Sequence, residues 1–275
     1  MVKISELISY GSENLKEVAE NPRSEARILL ADILSVSPSD IFLRQEESVA
    51  DEKAILFKEY VELRKTHMPI AYITHKKDFY GFEFKVNEDT LIPRPETEFV
   101  VEEILSVGKG TLLDLCTGSG CIPIATAKNS EITALGVDIS AGAVDVANQN
   151  ADKLGMAHRV SFEICDIFEK TDFGKFDIIS SNPPYITEED MLSLQPDVLD
   201  FEPSTALNGG KDGLNFYRRI IEIAPRNLNK KGKLIFELGI GQANAVKELM
   251  EENFTDIKII KDLAGIDRVI SGRVK

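Results

Sequence analysis

The sequence has no tryptophan, only three cysteines and only three histidines in 275 residues. Cys116, Cys121 and Cys165 are odd in number and form no Cys-x-x-Cys pair, which argues against a disulfide framework and against a structural zinc site. His67, His75 and His158 are scattered, so no metal is expected and no Ser-His-Asp or Cys-His spacing is visible. No apolar run approaches the roughly 20 residues that span a bilayer. Met1 to Glu6 lacks the basic and apolar regions of a signal peptide, so a cytoplasmic protein with no membrane partner is expected. Basic residues are also in deficit. The 32 Lys and Arg against 46 Asp and Glu leave a formal charge of −14. Such a chain does not attract nucleic acid through a general positive field, and no direct nucleic-acid partner is expected.

What is present falls into three stretches. Residues 1–74 read as a small helical domain. Asn21 or Ser24 can cap a helix on which Ala26, Leu29, Leu30, Ile33 and Leu34 recur at helical spacing. Ser37-Pro38-Ser39-Asp40 ends it and starts a short one. A third follows Asp51, with Leu56, Phe57, Tyr60, Val61 and Leu63 on one side. Nothing here looks catalytic; the functional reading is an interaction or substrate-positioning module, and a purely structural role is the alternative. Residues 75–92, with Phe79, Tyr80, Phe82, Phe84 and Val86 around Gly81, read as a β-hairpin connector. In residues 93–275, strands and helices alternate. Strands are expected at 111–115, 132–137, 160–164, 176–180 and 233–238, with a closing pair at 256–261 and 268–270. Helices are expected from 122, at 141–154, 214–224 and 243–253. This alternation predicts an α/β fold: a doubly wound, mostly parallel sheet that binds ligands at the carboxyl ends of its strands.

The first of these strands runs into Cys116-Thr117-Gly118-Ser119-Gly120. Glycines there permit a tight turn and close approach of a ligand. A dinucleotide site would want a third glycine where Pro123 stands, and Pro suits the first turn of a helix. The loop therefore fits a nucleoside ligand without a pyrophosphate. The second strand ends in Asp138-Ile139, about twenty residues after the first glycine, where a carboxylate can accept two hydrogen bonds from a ribose diol. After the third strand, Asp166-Ile167 would bring a carboxylate near an adenine amino group.

The fourth strand ends in Asn182-Pro183-Pro184-Tyr185. Two prolines cannot continue the strand and donate no N–H, leaving a rigid turn with free carbonyls. Such acceptors suit a planar amide nitrogen, whose lone pair is delocalised into its carbonyl and is a poor nucleophile. Acceptors on both N–H bonds would favour the pyramidal geometry of methyl transfer, with the Tyr185 ring packed nearby.

With these residues the chain resembles the class I S-adenosylmethionine-dependent methyltransferases, and more narrowly the bacterial peptide chain release factor glutamine methyltransferases. Further segments carry the likeness: Asp78-Phe79-Tyr80-Gly81, the run from Leu91 through Arg94 and Glu96 to Glu98, Glu202 to Leu207, Gly209 to Leu214, and Asp262 to Arg268. The resemblance implies a helical N-terminal domain, a hairpin and a Rossmann-like seven-stranded domain. It also implies that Cys116, Thr117, Gly118, Ser119, Gly120, Asp138, Ile139, Asp166, Ile167 and Asn182 line an S-adenosyl-L-methionine pocket. Asn182, Pro183, Pro184 and Tyr185 would hold the glutamine of a release factor's Gly-Gly-Gln loop, with Asn182, Pro183 and Tyr185 catalytic and Phe79, Arg94 and Glu96 shaping the substrate site. The family often has Gly at position 116, and some relatives have an aromatic at 167. The alternatives are a ribosomal-protein glutamine methyltransferase, a nucleic-acid adenine N6-methyltransferase, and a binding module that has kept the fold without catalysis. Against the adenine reading stand the acidity, the lack of Trp and the absence of an evident target-recognition domain.

Overall fold

The computed structural model describes residues 2–275. They divide into two compact units, residues 2–75 with Gln195–Phe201, and Lys76–Leu194 with Glu202–Lys275.

In the first unit, a two-residue pairing of β1 (Val2–Lys3) with β2 (Ser48–Val49) accompanies five helices: α1 (Ile4–Asn14), α2 (Pro22–Leu34), α3 (Pro38–Leu43), α4 (Asp51–Lys65) and α5 (Ile70–Thr74). Asn21 caps α2, its Oδ1 accepting from the Ser24 amide at 3.3 Å. Ser37 caps α3 in a reciprocal box with Asp40. A Cβ on Gly11 would lie 2.8 Å from both Ala26 Cβ and Phe57 Cζ, so glycine is what lets α1 close on its neighbours. The expected apolar face of α4 is corrected. Phe57 and Val61 are buried, but Leu56 and Leu63 are exposed, and the inward row continues to Arg64. The spacing 57, 61, 64 follows one helical stripe, whereas 56 and 63 flank it. Arg64 is held by Glu25 at 2.8 Å and by Asp197 at 3.0 Å, the latter on a short helix, α9 (Pro196–Leu199).

The second unit opens with the expected hairpin, β3 (Lys76–Phe79) and β4 (Phe82–Lys85). Its turn residues Tyr80 and Gly81 both have positive φ, 51° and 77°, the twist that suits a two-residue hairpin loop. Seven strands follow: β5 (Thr111–Leu115), β6 (Thr133–Asp138), β7 (Val160–Ile164), β8 (Phe176–Ser181), β9 (Leu228–Glu237), β10 (Phe254–Lys261) and β11 (Asp267–Val274). They form one sheet in the order β10-β11-β9-β8-β5-β6-β7. The strands β5 to β9 run parallel, and β11 is antiparallel to both β9 and β10.

Helices cover both faces, and the strands divide their apolar side chains between them. Leu113, Leu115, Ile179, Leu234, Phe236 and Ile270 pack with α11 (Asn215–Asn227) and α12 (Ala243–Met250). Their neighbours Leu112, Ile178, Ile235 and Val269 pack with α6 (Glu98–Leu105) and α7 (Cys121–Asn129), while α8 (Ala141–Lys153) adds Ala151. A period of two along each strand produces this division.

Several element ends differ from expectation: the helix expected to reach 253 stops at Met250, and the closing strands are longer, Phe254–Lys261 and Asp267–Val274. The helix expected to stop at Ala224 continues to Asn227, with Pro225 in its last turn. Asn227 closes that end, its Nδ2 donating to the Ile223 and Thr171 carbonyls and its Oδ1 accepting from the Phe173 amide. The strand expected from Lys233 begins at Leu228, and its pairing with β8 jumps from Leu228 to Lys233 across an irregularity. The regular pairing therefore starts at the position read from sequence.

Candidate active site

A cleft of about 480 Å³ opens at the carboxyl ends of the parallel strands. It lies where the order turns outward in both directions from β5, to β6 on one side and to β8 on the other.

At the end of β5 the chain enters a left-handed bend at Cys116, φ 59°, and again at Gly118 and Gly120, φ 54° and 75°. An L-residue with a side chain adopts this conformation at a cost of roughly 1–2 kcal/mol. Beneath the loop lies a residue the sequence reading did not single out. Asp114 is fully buried and accepts from Thr117 Oγ1 at 2.7 Å and from Ser180 Oγ at 2.6 Å. Burial outweighs both hydrogen bonds and pushes its carboxyl up to about 7. Gly120 caps α7 and does not line the cleft, where Cys116, Thr117, Gly118 and Ser119 do.

Asp138, at the end of β6, accepts from the Gly118 amide at 2.9 Å through Oδ2 and from the Ser140 amide at 3.0 Å through Oδ1. Desolvation raises its carboxyl above the usual range, and these backbone donors pull it back. Each oxygen keeps a lone pair for a ligand hydroxyl. Asp166 and Ile167 also line the cleft, and Asp166 Oδ1 accepts from the Phe168 amide at 2.8 Å. The aromatic surface missing at position 167 is supplied one residue later. Phe168 meets Phe216 edge to face with centroids 5.3 Å apart, and both rings line the cleft. Neither was distinguishable from an ordinary apolar residue in the sequence.

These groups fit S-adenosylmethionine. Ser119 Oγ is buried in the cleft lining without a hydrogen-bond partner, a vacancy for a polar end of a ligand. The Asp138 carboxylate suits a ribose diol, and Phe168 with Phe216 offers an apolar wall for a base. Among the described residues, no group of three or more His, Cys, Asp or Glu is placed to hold a metal ion. No described helix is long and apolar enough to cross a membrane.

At the end of β8, Asn182 and Pro184 line the cleft, while Pro183 is buried and Tyr185 half-buried behind them. The turn is buttressed from three sides. Gln242 Nε2 donates to the Tyr185 carbonyl at 2.9 Å. A Cβ on Gly209 would sit 2.7 Å from Tyr185 Cα, so backbone packs directly on backbone there. Asn182 Nδ2 donates to Thr97 Oγ1 at 3.3 Å, and Thr97 donates to the buried Glu237 at 2.6 Å. Glu237 Oε1 lies 3.4 Å from the Tyr185 hydroxyl. Burial pushes the Glu237 carboxyl up to about 7, and burial with the Glu237 charge raises the Tyr185 phenol.

The three outlying residues expected at the substrate site go to different places. Arg94 lines the cleft and is clamped at 2.5 Å by the buried Glu202, which also accepts from the Ile92 amide. Glu96 is outside the cleft lining, 3.6 Å from Arg268, so it pairs with the C-terminal segment and not with Arg94. Phe79 is corrected. Its ring is in the core, edge to face with Phe84 at 5.9 Å, because a β3 residue on the inward face of the hairpin is covered by α6 and α7.

A seven-stranded sheet with this order and a nucleoside-sized cleft at its strand ends define the class: the S-adenosylmethionine-dependent methyltransferases. Residues 107–269 match the methyltransferase domain family, and residues 6–74 match the PrmC N-terminal domain. A solved methyltransferase from Pyrococcus furiosus has the same fold, with TM-score 0.56 and 19% identity over 78% of this chain and 96% of that one. The release factor glutamine methyltransferase of Thermodesulfovibrio yellowstonii is 38% identical over 98% of this chain and 95% of its own. That of Bacillus subtilis is 38% identical over 98% and 97%. The chain belongs to the release factor glutamine methyltransferase family.

Proposed function

We propose that the protein transfers a methyl group from S-adenosylmethionine to the side-chain amide nitrogen of the glutamine in the Gly-Gly-Gln loop of a peptide chain release factor. It does so in the cytoplasm and without nucleic acid as a direct partner. The observation that carries this is the Asn182-Pro183-Pro184-Tyr185 turn, held at the strand end where Asn182 and Pro184 face the cleft.

Bound S-adenosylmethionine supplies an activated methyl group on a sulfonium. The chain's own residues must do the rest. The Asn182 Oδ1 and the Pro183 carbonyl accept the two N–H bonds of the substrate amide, loosening its conjugation and turning its lone pair toward the methyl. Tyr185, fixed through its carbonyl by Gln242 and near Glu237 through its hydroxyl, backs the turn that carries these acceptors. Asp138, Ser119, Phe168 and Phe216 hold the cofactor. No strong base is required, because the nitrogen becomes acidic only once methylated. The rate comes from alignment in a site cleared of water.

Labelled S-adenosylmethionine incubated with a release factor, and with a copy whose Gly-Gly-Gln glutamine is changed to Ala, tests this reading. Label should enter the first alone and fall steeply, to a low but measurable rate, with Asn182→Ala. Label entering nucleic acid, or a ribosomal protein in place of the release factor, would overturn the substrate assignment.

A further inference from the structure

We propose that Thr97 and Glu237 form a hydrogen-bond relay that fixes which way round the Asn182 amide lies, so that its oxygen and not its nitrogen is presented to the substrate. The inference rests on the role given to Asn182 above.

An Asn side chain is nearly symmetrical in shape, and only its partners decide where oxygen and nitrogen go. Thr97 decides it here. Its hydroxyl has one proton, and that proton is committed to Glu237 Oε2 at 2.6 Å. Toward Asn182, 3.3 Å away, the same oxygen can therefore only accept, and only the Asn182 NH₂ can donate. Oδ1 is left on the other side of the amide, for the cleft that Asn182 lines. A reversed amide would present N–H to N–H and repel the substrate nitrogen's own hydrogens. Thr97 is buried at the end of the 3₁₀ turn Pro95–Thr97, and Glu237 ends β9 on the same face as Ile235. The relay thus joins three separate strand and turn ends.

The relay requires Glu237 to be an acceptor. Its carboxyl is raised by burial and by Glu96, and lowered by Thr97, Arg268 and Tyr185; Cys121 and Tyr217 are the other titratable groups around it. Protonated, it can donate to Thr97 Oγ1, which frees the threonine proton to reach Asn182 and favours the reversed amide. Methyl transfer should accordingly fall as pH drops through about 7. Glu237→Gln, which can donate at any pH, should lower kcat and flatten that limb.

The decisive measurements use kcat for release factor methylation alongside S-adenosylmethionine affinity. Thr97→Val should lower kcat roughly tenfold or more, with cofactor Kd within about twofold. Thr97→Ser, which restores the hydroxyl, should recover most of the loss. In an Asn182→Ala background Thr97→Val should cost nothing further, because the group it orients is gone. An unimpaired Thr97→Val, independent multiplying effects of the two substitutions, or a Thr97→Ser as poor as the valine would each overturn the relay while wild-type labelling of the release factor left the functional reading intact. A wild-type protein that leaves the release factor unlabelled overturns both.

Discussion

Asp114 and Glu237 stand two strands apart on one face of the sheet, each buried and each accepting hydroxyl protons. Both have carboxyls pushed up to about 7 by loss of water. For Asp114 the sign follows directly. Between its ordinary value of 3.8 and about 7, the folded protein keeps a proton that the unfolded chain has released. Stability therefore falls as pH rises across that window. Asp114→Asn removes the titration. The variant is expected to be the weaker protein at pH 5, since Thr117 and Ser180 donate to different carboxyl oxygens and an amide nitrogen in place of one of them cannot accept, whereas a protonated carboxyl keeps acceptor capacity on both. Relative to wild type it should then gain on the order of 1–3 kcal/mol between pH 5 and pH 8. Urea unfolding of both proteins at the two pH values checks this, and a pH-independent difference would count against it.

At the scale of elements, the catalytic turn depends on a distant glycine segment as much as on its own prolines. Ile186 donates its amide to the Leu207 carbonyl and Gly209 donates back to the Ile186 carbonyl, following α10 (Ser204–Leu207), so the segment runs alongside the turn. With a Cβ at Gly209 only 2.7 Å from Tyr185 Cα and 2.8 Å from the Pro184 carbonyl oxygen, one of the two backbones must shift. Gly209→Ala should therefore reduce methyl transfer by roughly tenfold or more, since a displacement near 1 Å already disturbs alignment. Cofactor affinity, set at the β5, β6 and β7 ends, should change little. Calorimetric titration with S-adenosylmethionine beside the methylation assay separates the two effects, and equal losses in both would show that the segment supports the cofactor cleft instead.

Over the whole molecule, the compact units do not follow the order of the chain. Gln195–Phe201 belongs with the N-terminal helices although it is flanked by residues of the sheet-containing unit. Arg64 accounts for that grouping physically: it is only 6% exposed and is shared between Glu25 on α2 and Asp197 on α9. Removing one member of a buried ion network leaves its partners uncompensated, at a cost of about 3–5 kcal/mol when burial is complete. Asp197 is about a third exposed, so Arg64→Met should cost less, about 2–3 kcal/mol. Protease cleavage within 195–201 should also accelerate. Chemical denaturation with limited proteolysis tests both, and unchanged cleavage would detach Asp197 from this role.

Periodicity, proline and glycine determined much of this protein without help from tertiary structure. Alternation of strand and helix stretches specified the parallel sheet. The Cys116–Gly120 loop, Asp138, Asp166 and Asn182 to Tyr185 each lie at or just after the end of a strand, and a strand's end is readable locally from where the apolar run stops. Partnerships across the chain were not readable, because they join side chains brought together only by packing. Glu237 follows an apolar run that could bring it toward the site without fixing what it does there, Thr97 and Glu202 lie in segments that carry the family resemblance without a role of their own, and Phe168 was indistinguishable from an ordinary apolar residue. Their roles come from burial, which turns a hydroxyl or carboxylate that would be satisfied by water into a group that must find a specific partner. The same cause placed Phe79 in the core and Arg64 inside the helical unit. Sequence spacing determines which face of an element a residue occupies, and only the assembled layers decide what that face meets.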